Sequence, residues 1–193
     1  MNKFFGHLCT INRHKMYVLK TCFKAGLYKQ GLLHDMSKYS TIEFLSGVKY
    51  YQGGNRSPIS KEKEVKGYAP GWLHHKGKNR HHFEYWIDFA KNPHDGLIGI
   101  KMPKRYVAEM VIDRISASKN YLGDKYTPVE PLKYWLNGKD FYVIDKDSEF
   151  LTDYLLTMLS EKGEEELLHF IKYTLMKNKD GDYHEEEGKL ILD

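Results

Sequence analysis

Residues 104–122, KRYVAEMVIDRISASKNYL, decide how the rest of the chain is read. Val107, Met110, Val111 and Ile115 recur at helical spacing, and no Gly or Pro interrupts the run, so the stretch reads as a long amphipathic helix. Within it Asp113 lies among Met110, Val111, Ile112 and Ile115. A buried carboxylate left alone is costly, so Asp113 must be ion-paired, hydrogen-bonded or bound to a metal. Arg105, Arg114 and Lys119 are the nearby cations that could pair with it.

Working outward, the same periodicity recurs along the chain. Residues 8–28 form an amphipathic helix with Ile11, Val18, Cys22 and Ala25 on one stripe, and His14 falls on that stripe. Gly31 breaks the pattern, and a second helix is expected from about Leu32 to Tyr51. GGNRSP at 53–58 is a loop, and SKEKEVKGYAPGW reads as a short helix and a turn. Residues 72–90 read as a third long helix, NPHDGLIG at 92–99 as a loop, and PLKYWLNG as a short helix. FYVID at 141–145 is a short strand or an extended link. Two further helices, 147–160 and 163–176, are separated at Gly163, and the charged tail from Asn178 carries no clear pattern. With almost no strand signal, the fold class is all-α. The expected organisation is a basic helical domain over 1–139, with an acidic helical extension over 140–193 packed on it.

Composition bounds the function. The 193 residues suit one domain with a sizeable core. Two cysteines, Cys9 and Cys22, imply no disulfide framework, and a reducing cytoplasm is the simplest compartment. MNKFFGHLCTINRHK has no signal-peptide core, and no run approaches the ~18 apolar residues of a membrane span. Residues 1–139 carry 24 Lys+Arg against 11 Asp+Glu, whereas residues 140–193 carry 6 against 15. The basic part would attract an anion such as a phosphate ester or a nucleic acid, although an ordinary solvated surface has the same composition.

The chemistry concentrates in histidines and acids. His34-Asp35 offers an imidazole and a carboxylate, both good ligands for a divalent transition metal. Lys38 follows one turn later and could hold an anion bound there. LHHKGKNRHHFEYW contains His74, His75, His81 and His82, with His74 and His81 seven apart and His75 and His82 likewise. On an unbroken helix each pair would share a face two turns apart, suiting two ions or an ion and a substrate. A break at Gly77 would bring the pairs closer, and a surface histidine-rich stretch is the plainer alternative.

The order His14, His34-Asp35, the histidine cluster, then Asp113 resembles the HD-domain superfamily of metal-dependent phosphohydrolases. LLHDMSK resembles that family's HD motif, with Ser37 where Gly is usual, and VIDRIS resembles its final Asp helix. The likeness covers about residues 10–122. GLLHDMSKYSTIEF and WLHHKGKNRHH also resemble a small bacterial and phage family with no settled function. The resemblance implies one or two divalent transition metal ions (Mn, Fe, Co, Ni or Zn) held by His14, His34, Asp35 and Asp113, with His74 and His75 as further ligands. Asp35, Lys38 and His82 would carry the chemistry, and Lys38, Lys76 and Arg80 would bind a small anionic, phosphate-containing substrate. Two other readings remain open, a di-iron oxygenase on the same scaffold and a basic nucleic-acid-binding module.

Overall fold

The computed structural model describes residues 2–193. Eight helices dominate them: α1 (Lys3–Lys24), α2 (Tyr28–Leu33), α3 (Thr41–Lys49), α4 (Pro58–Lys66), α5 (Pro70–Lys78), α6 (Lys104–Leu122), α7 (Glu130–Leu136) and α8 (Lys146–Phe170). Two antiparallel hairpins complete the chain, β1 (Ile87–Phe89) with β2 (Leu97–Gly99) and β3 (Tyr183–Glu186) with β4 (Lys189–Leu192). The fold is mainly helical.

Local chemistry sets the helix ends. Asn2 caps α1 by accepting from the Phe4 amide, and Ser40, Ser57 and Asp145 cap α3, α4 and α8 in the same way. Pro58 and Pro70 open α4 and α5, where the missing N–H costs nothing. Inside α8, Gly163 adopts φ 83° and ψ 176°, which breaks the helix where the sequence placed a boundary.

Three elements differ from the sequence reading. The expected helix over 32–51 is two helices and a turn, because His34 is extended and Asp35 is left-handed at φ 54°. Aspartate tolerates that conformation better than most side chains. The expected helix over 72–90 ends at Lys78, where Asn79 turns extended and its amide side chain bonds back to the His75 carbonyl. The chain then passes through one 3-10 turn into β1, so the segment 92–99 is the tip and return strand of a hairpin. The tail is a hairpin as well, closed by Glu187 and Gly188, both at positive φ, as a two-residue turn requires. Of residues 141–145, Phe141 ends a 3-10 turn and 142–145 form a link outside any strand.

The core runs through the middle of the molecule. Val18 and Cys22 of α1, Val111 and Ile115 of α6, and Leu155 and Leu159 of α8 are all buried in one cluster, so both the basic and the acidic parts of the chain contribute. Each such side chain stabilises the fold by roughly 1.5–3 kcal/mol relative to exposure. Tyr183 pins the tail hairpin to that core: its hydroxyl donates to the Met102 carbonyl at 2.6 Å and meets Ser148 Oγ at 3.0 Å. Among the described residues, no helix is long and apolar enough to cross a membrane.

Candidate metal centre

α1 buries the face that carries His7, Ile11, His14, Val18 and Cys22, and that places His14 at the centre of the molecule. α6 crosses it and delivers Asp113, whose Oδ1 lies 2.9 Å from His14 Nε2. The turn after α2 supplies His34 and Asp35, 1% and 2% exposed. His34 reaches that turn because Gly31 lets α2 approach α1 closely, against the Cys22 side chain. Lys15 then holds the turn by donating to the carbonyls of Leu32 and His34.

Asp35 is the pivot. Its Oδ2 lies 3.2 Å from His34 Nε2 and 3.7 Å from His14 Nε2. Its Oδ1 lies 3.3 Å from His75 Nε2 and 3.4 Å from His81 Nε2. Two groups of ligand-type atoms therefore share it, His14, His34, Asp35 and Asp113 in one and Asp35, His75, His81 and His82 in the other, each within 4.8 Å.

These atoms fit metal ions better than they fit one another. His34 Nε2, His81 Nε2, His82 Nε2 and Asp35 Oδ1 are buried with no hydrogen-bond partner, whereas Asp35 Oδ2 faces the Lys38 ammonium and His14 Nε2 faces Asp113. Orphaned buried polar atoms are rare in folded proteins. Two ligands about 2.0–2.2 Å from one ion stand roughly 3.0–3.5 Å apart, which is the spacing most of these pairs show.

The electrostatics point the same way. Burial alone would lower the His34 imidazole, but Asp35, Asp113 and Glu109 outweigh it and hold His34 well above the ordinary histidine range. Burial alone would raise Asp35, but His34, Lys38 and His75 hold it well below the usual carboxylate range. The site thus draws positive charge. His82 goes the other way: burial, then His81 and His75, push it well below its ordinary value, which leaves its lone pair free.

An outer layer of acids orients the rings. Glu109 Oε1 accepts from His34 Nδ1 at 2.9 Å, and Glu43 Oε2 accepts from His75 Nδ1 at 2.7 Å. Such bonds fix the tautomer that turns Nε2 inward. His74 is not brought into either group. Its Nδ1 lies 2.6 Å from Glu43 Oε1, on the far side of the acid that holds His75, because adjacent residues on α5 cannot face one point. Sequence reasoning gives Glu109 no role and offers Glu43 only as a surface partner for Lys38.

The centre opens into a cavity of about 1000 Å³. His14, His75, His82 and Asp113 border it, and Lys38 and Arg114 stand beside them. Lys38 Nζ lies 2.6 Å from Asp35 Oδ2, and that pairing overcomes the cost of burial and raises the ammonium well above its ordinary value. Arg56, Lys63 and Lys133 line the outer wall. Lys76 and Arg80, expected to bind substrate, do not line it. Lys76 follows His75 within α5 and so points off the buried His75 face, and Arg80 lies past the end of α5, where its guanidinium packs over the Tyr85 ring.

A family model described as a family of unknown function (DUF5662) matches residues 3–179. The chain belongs to that family. The match takes in all eight helices and every residue of both ligand groups, and stops before the β3–β4 hairpin. No curated protein and no solved structure matches the chain.

Proposed function

We propose that this protein is a metal-dependent phosphohydrolase acting on a nucleotide or another phosphate ester. His14, His34, Asp35 and Asp113 would hold one divalent transition metal ion, and Asp35, His75, His81 and His82 a second. The observation that carries this reading is Asp35, whose two oxygens face two separate sets of imidazole nitrogens, as a bridging carboxylate must. When bound, such a metal pair supplies Lewis-acid charge and a nucleophile from water near neutral pH.

The chain's own residues do the rest. Lys38 and Arg114 bring positive charge to the mouth of the cluster, where a phosphate would sit. Lys38 stays charged, so it acts as a fixed cation and not as a proton donor. His82 belongs to the second group, so it would serve as a ligand there and not as a general acid. Residues of α4 and α7 line the cavity walls and would flank a substrate bound there.

The test is turnover by untagged protein loaded with Mn, Fe, Co, Ni or Zn, against a panel of nucleotides and generic phosphate esters. Hydrolysis by wild type that is lost in Asp35→Asn supports the reading; no hydrolysis with any metal refutes it. The histidine-rich donor set of the second group favours one rival, a di-iron oxygenase. Substrate-dependent oxygen consumption by iron-loaded protein, without ester hydrolysis, would select it.

A further inference from the structure

A single oxygen of Glu109 touches both ligand groups. Glu109 Oε1 lies 2.9 Å from His34 Nδ1 and 3.2 Å from His81 Nδ1. His34 belongs to the first group and His81 to the second. Their rings lie 4.4 Å apart between centroids and are tilted by only 32°. Each ring turns Nε2 toward Asp35, His34 at 3.2 Å from Oδ2 and His81 at 3.4 Å from Oδ1. The two imidazoles are therefore clamped side by side, with Asp35 at one edge and Glu109 at the other.

α6 fixes this clamp. Glu109 precedes Asp113 by one helical turn, so both acids project from one face of the same rigid element. Glu109 is 5% exposed, and its Oε1 lies within hydrogen-bond reach of the Nδ1 of both rings. A carboxylate that accepts from a ligand's outer N–H fixes the ring's tautomer and raises its basicity. Elsewhere in the centre this work is local: Glu43 uses Oε1 for His74 and Oε2 for His75, and so serves the second group alone.

We propose that Glu109 is a positioning residue common to both metal groups, so that one side chain sets the affinity of two ions. The inference rests on the metal-binding reading above, and no part of it depends on which substrate is turned over.

Its test isolates each group. His82→Ala leaves the first group able to bind, and His14→Ala leaves the second. Co(II) is titrated into metal-free full-length protein in each background, followed by calorimetry and by the visible absorption of the bound ion. Adding Glu109→Gln should weaken the remaining ion ~10–100-fold in both backgrounds. Adding Glu43→Gln should weaken it in the His14→Ala background only. In the His82→Ala background the Co(II) absorption bands should shift with Glu109→Gln and stay put with Glu43→Gln. Should Glu109→Gln fail to fold by circular dichroism, Glu109→Asp keeps the charge and should show a smaller loss in the same two backgrounds. A loss confined to one background, or equal losses from Glu43→Gln and Glu109→Gln in both, overturns the shared role. Absence of Co(II) binding by wild type overturns this inference together with the metal reading. Absence of phosphate-ester turnover with normal Co(II) binding strikes the phosphohydrolase reading alone.

Discussion

The two halves of the candidate centre are built differently. His14 and Asp113 stand in the middle of α1 and α6, two long helices that meet through the apolar core. His75, His81 and His82 stand at the end of α5 and in the irregular turn after it. The first half takes His14 and Asp113 from core packing, and adds His34 and Asp35 from the turn after α2 that Lys15 and Glu109 hold. The second is held by polar contacts, chiefly Glu43, Glu109, and Asn79, whose amide reaches Ser37 Oγ and the His75 carbonyl. A site on rigid helices is set by the fold itself, whereas a site on a turn depends on each hydrogen bond that ties the turn down.

The sharpest way to break the comparison is to remove what the halves share. Asp35→Asn keeps a residue that tolerates the left-handed conformation and removes the charge both groups use. It should abolish binding of both ions and all turnover. Thermal melting with and without added metal should show wild type gaining stability from the ion by mass action and the variant gaining none. A variant that keeps either ion contradicts the bridging role.

Removing one half should spare the other. His14→Ala should cost the first ion, and His82→Ala the second, each measured as metal per chain after dialysis. The rigid half should stay folded in His82→Ala, and its ion should remain bound. His7→Ala should cost no ion: His7 lies two turns from His14 on the same face, yet its ring packs against Phe44 and Tyr51, outside both groups.

The mouth of the cavity comes next. Lys38→Met should keep both ions and lower phosphate-ester turnover by ~10–1000-fold, the effect of losing one charge contact at the reacting group. Unchanged kcat/KM would assign Lys38 to its ion pair with Asp35 alone.

His7 itself gives the smallest effect. Burial, with Lys38 second, lowers its pKa to about 4 from an ordinary 6.5. Between those values the unfolded chain takes up a proton that the folded chain refuses. The His7 contribution to stability is therefore full above about pH 6.5 and is lost as pH falls toward 4. Urea unfolding at pH 7 and pH 4.5 should show a smaller acid loss in His7→Leu than in wild type.

Much of the rigid half was legible in the sequence. His14 lay on an apolar stripe of helical period, and Asp113 lay among buried aliphatics, so both positions followed from periodicity and the cost of burying charge. Glu109 was open to the same argument, since it stands in AEMVID four residues before Asp113. The turn-borne half was less legible. Treating 72–90 as one helix put His74 and His75 on equal footing and aimed Lys76 and Arg80 at the substrate. The stop at Asn79 comes from a side chain bonding back to the backbone, which hydrophobic period does not report. Glu43 hid in plain sight, because Ser40 followed three residues later by Glu43 has the spacing of a helix-capping pair and suggests no further role. The tail hairpin closes on Glu-Gly, a weaker turn signal than Asn-Gly, and only the burial of Tyr183 reveals why it is ordered.

Metal content per chain tests the central claim most directly. Elemental analysis of untagged, full-length protein, saturated with a divalent transition metal and then desalted, should give two ions per chain in wild type and none in Asp35→Asn. Wild type with no stoichiometric metal, or Asp35→Asn with the wild-type content, would contradict a centre bridged by Asp35.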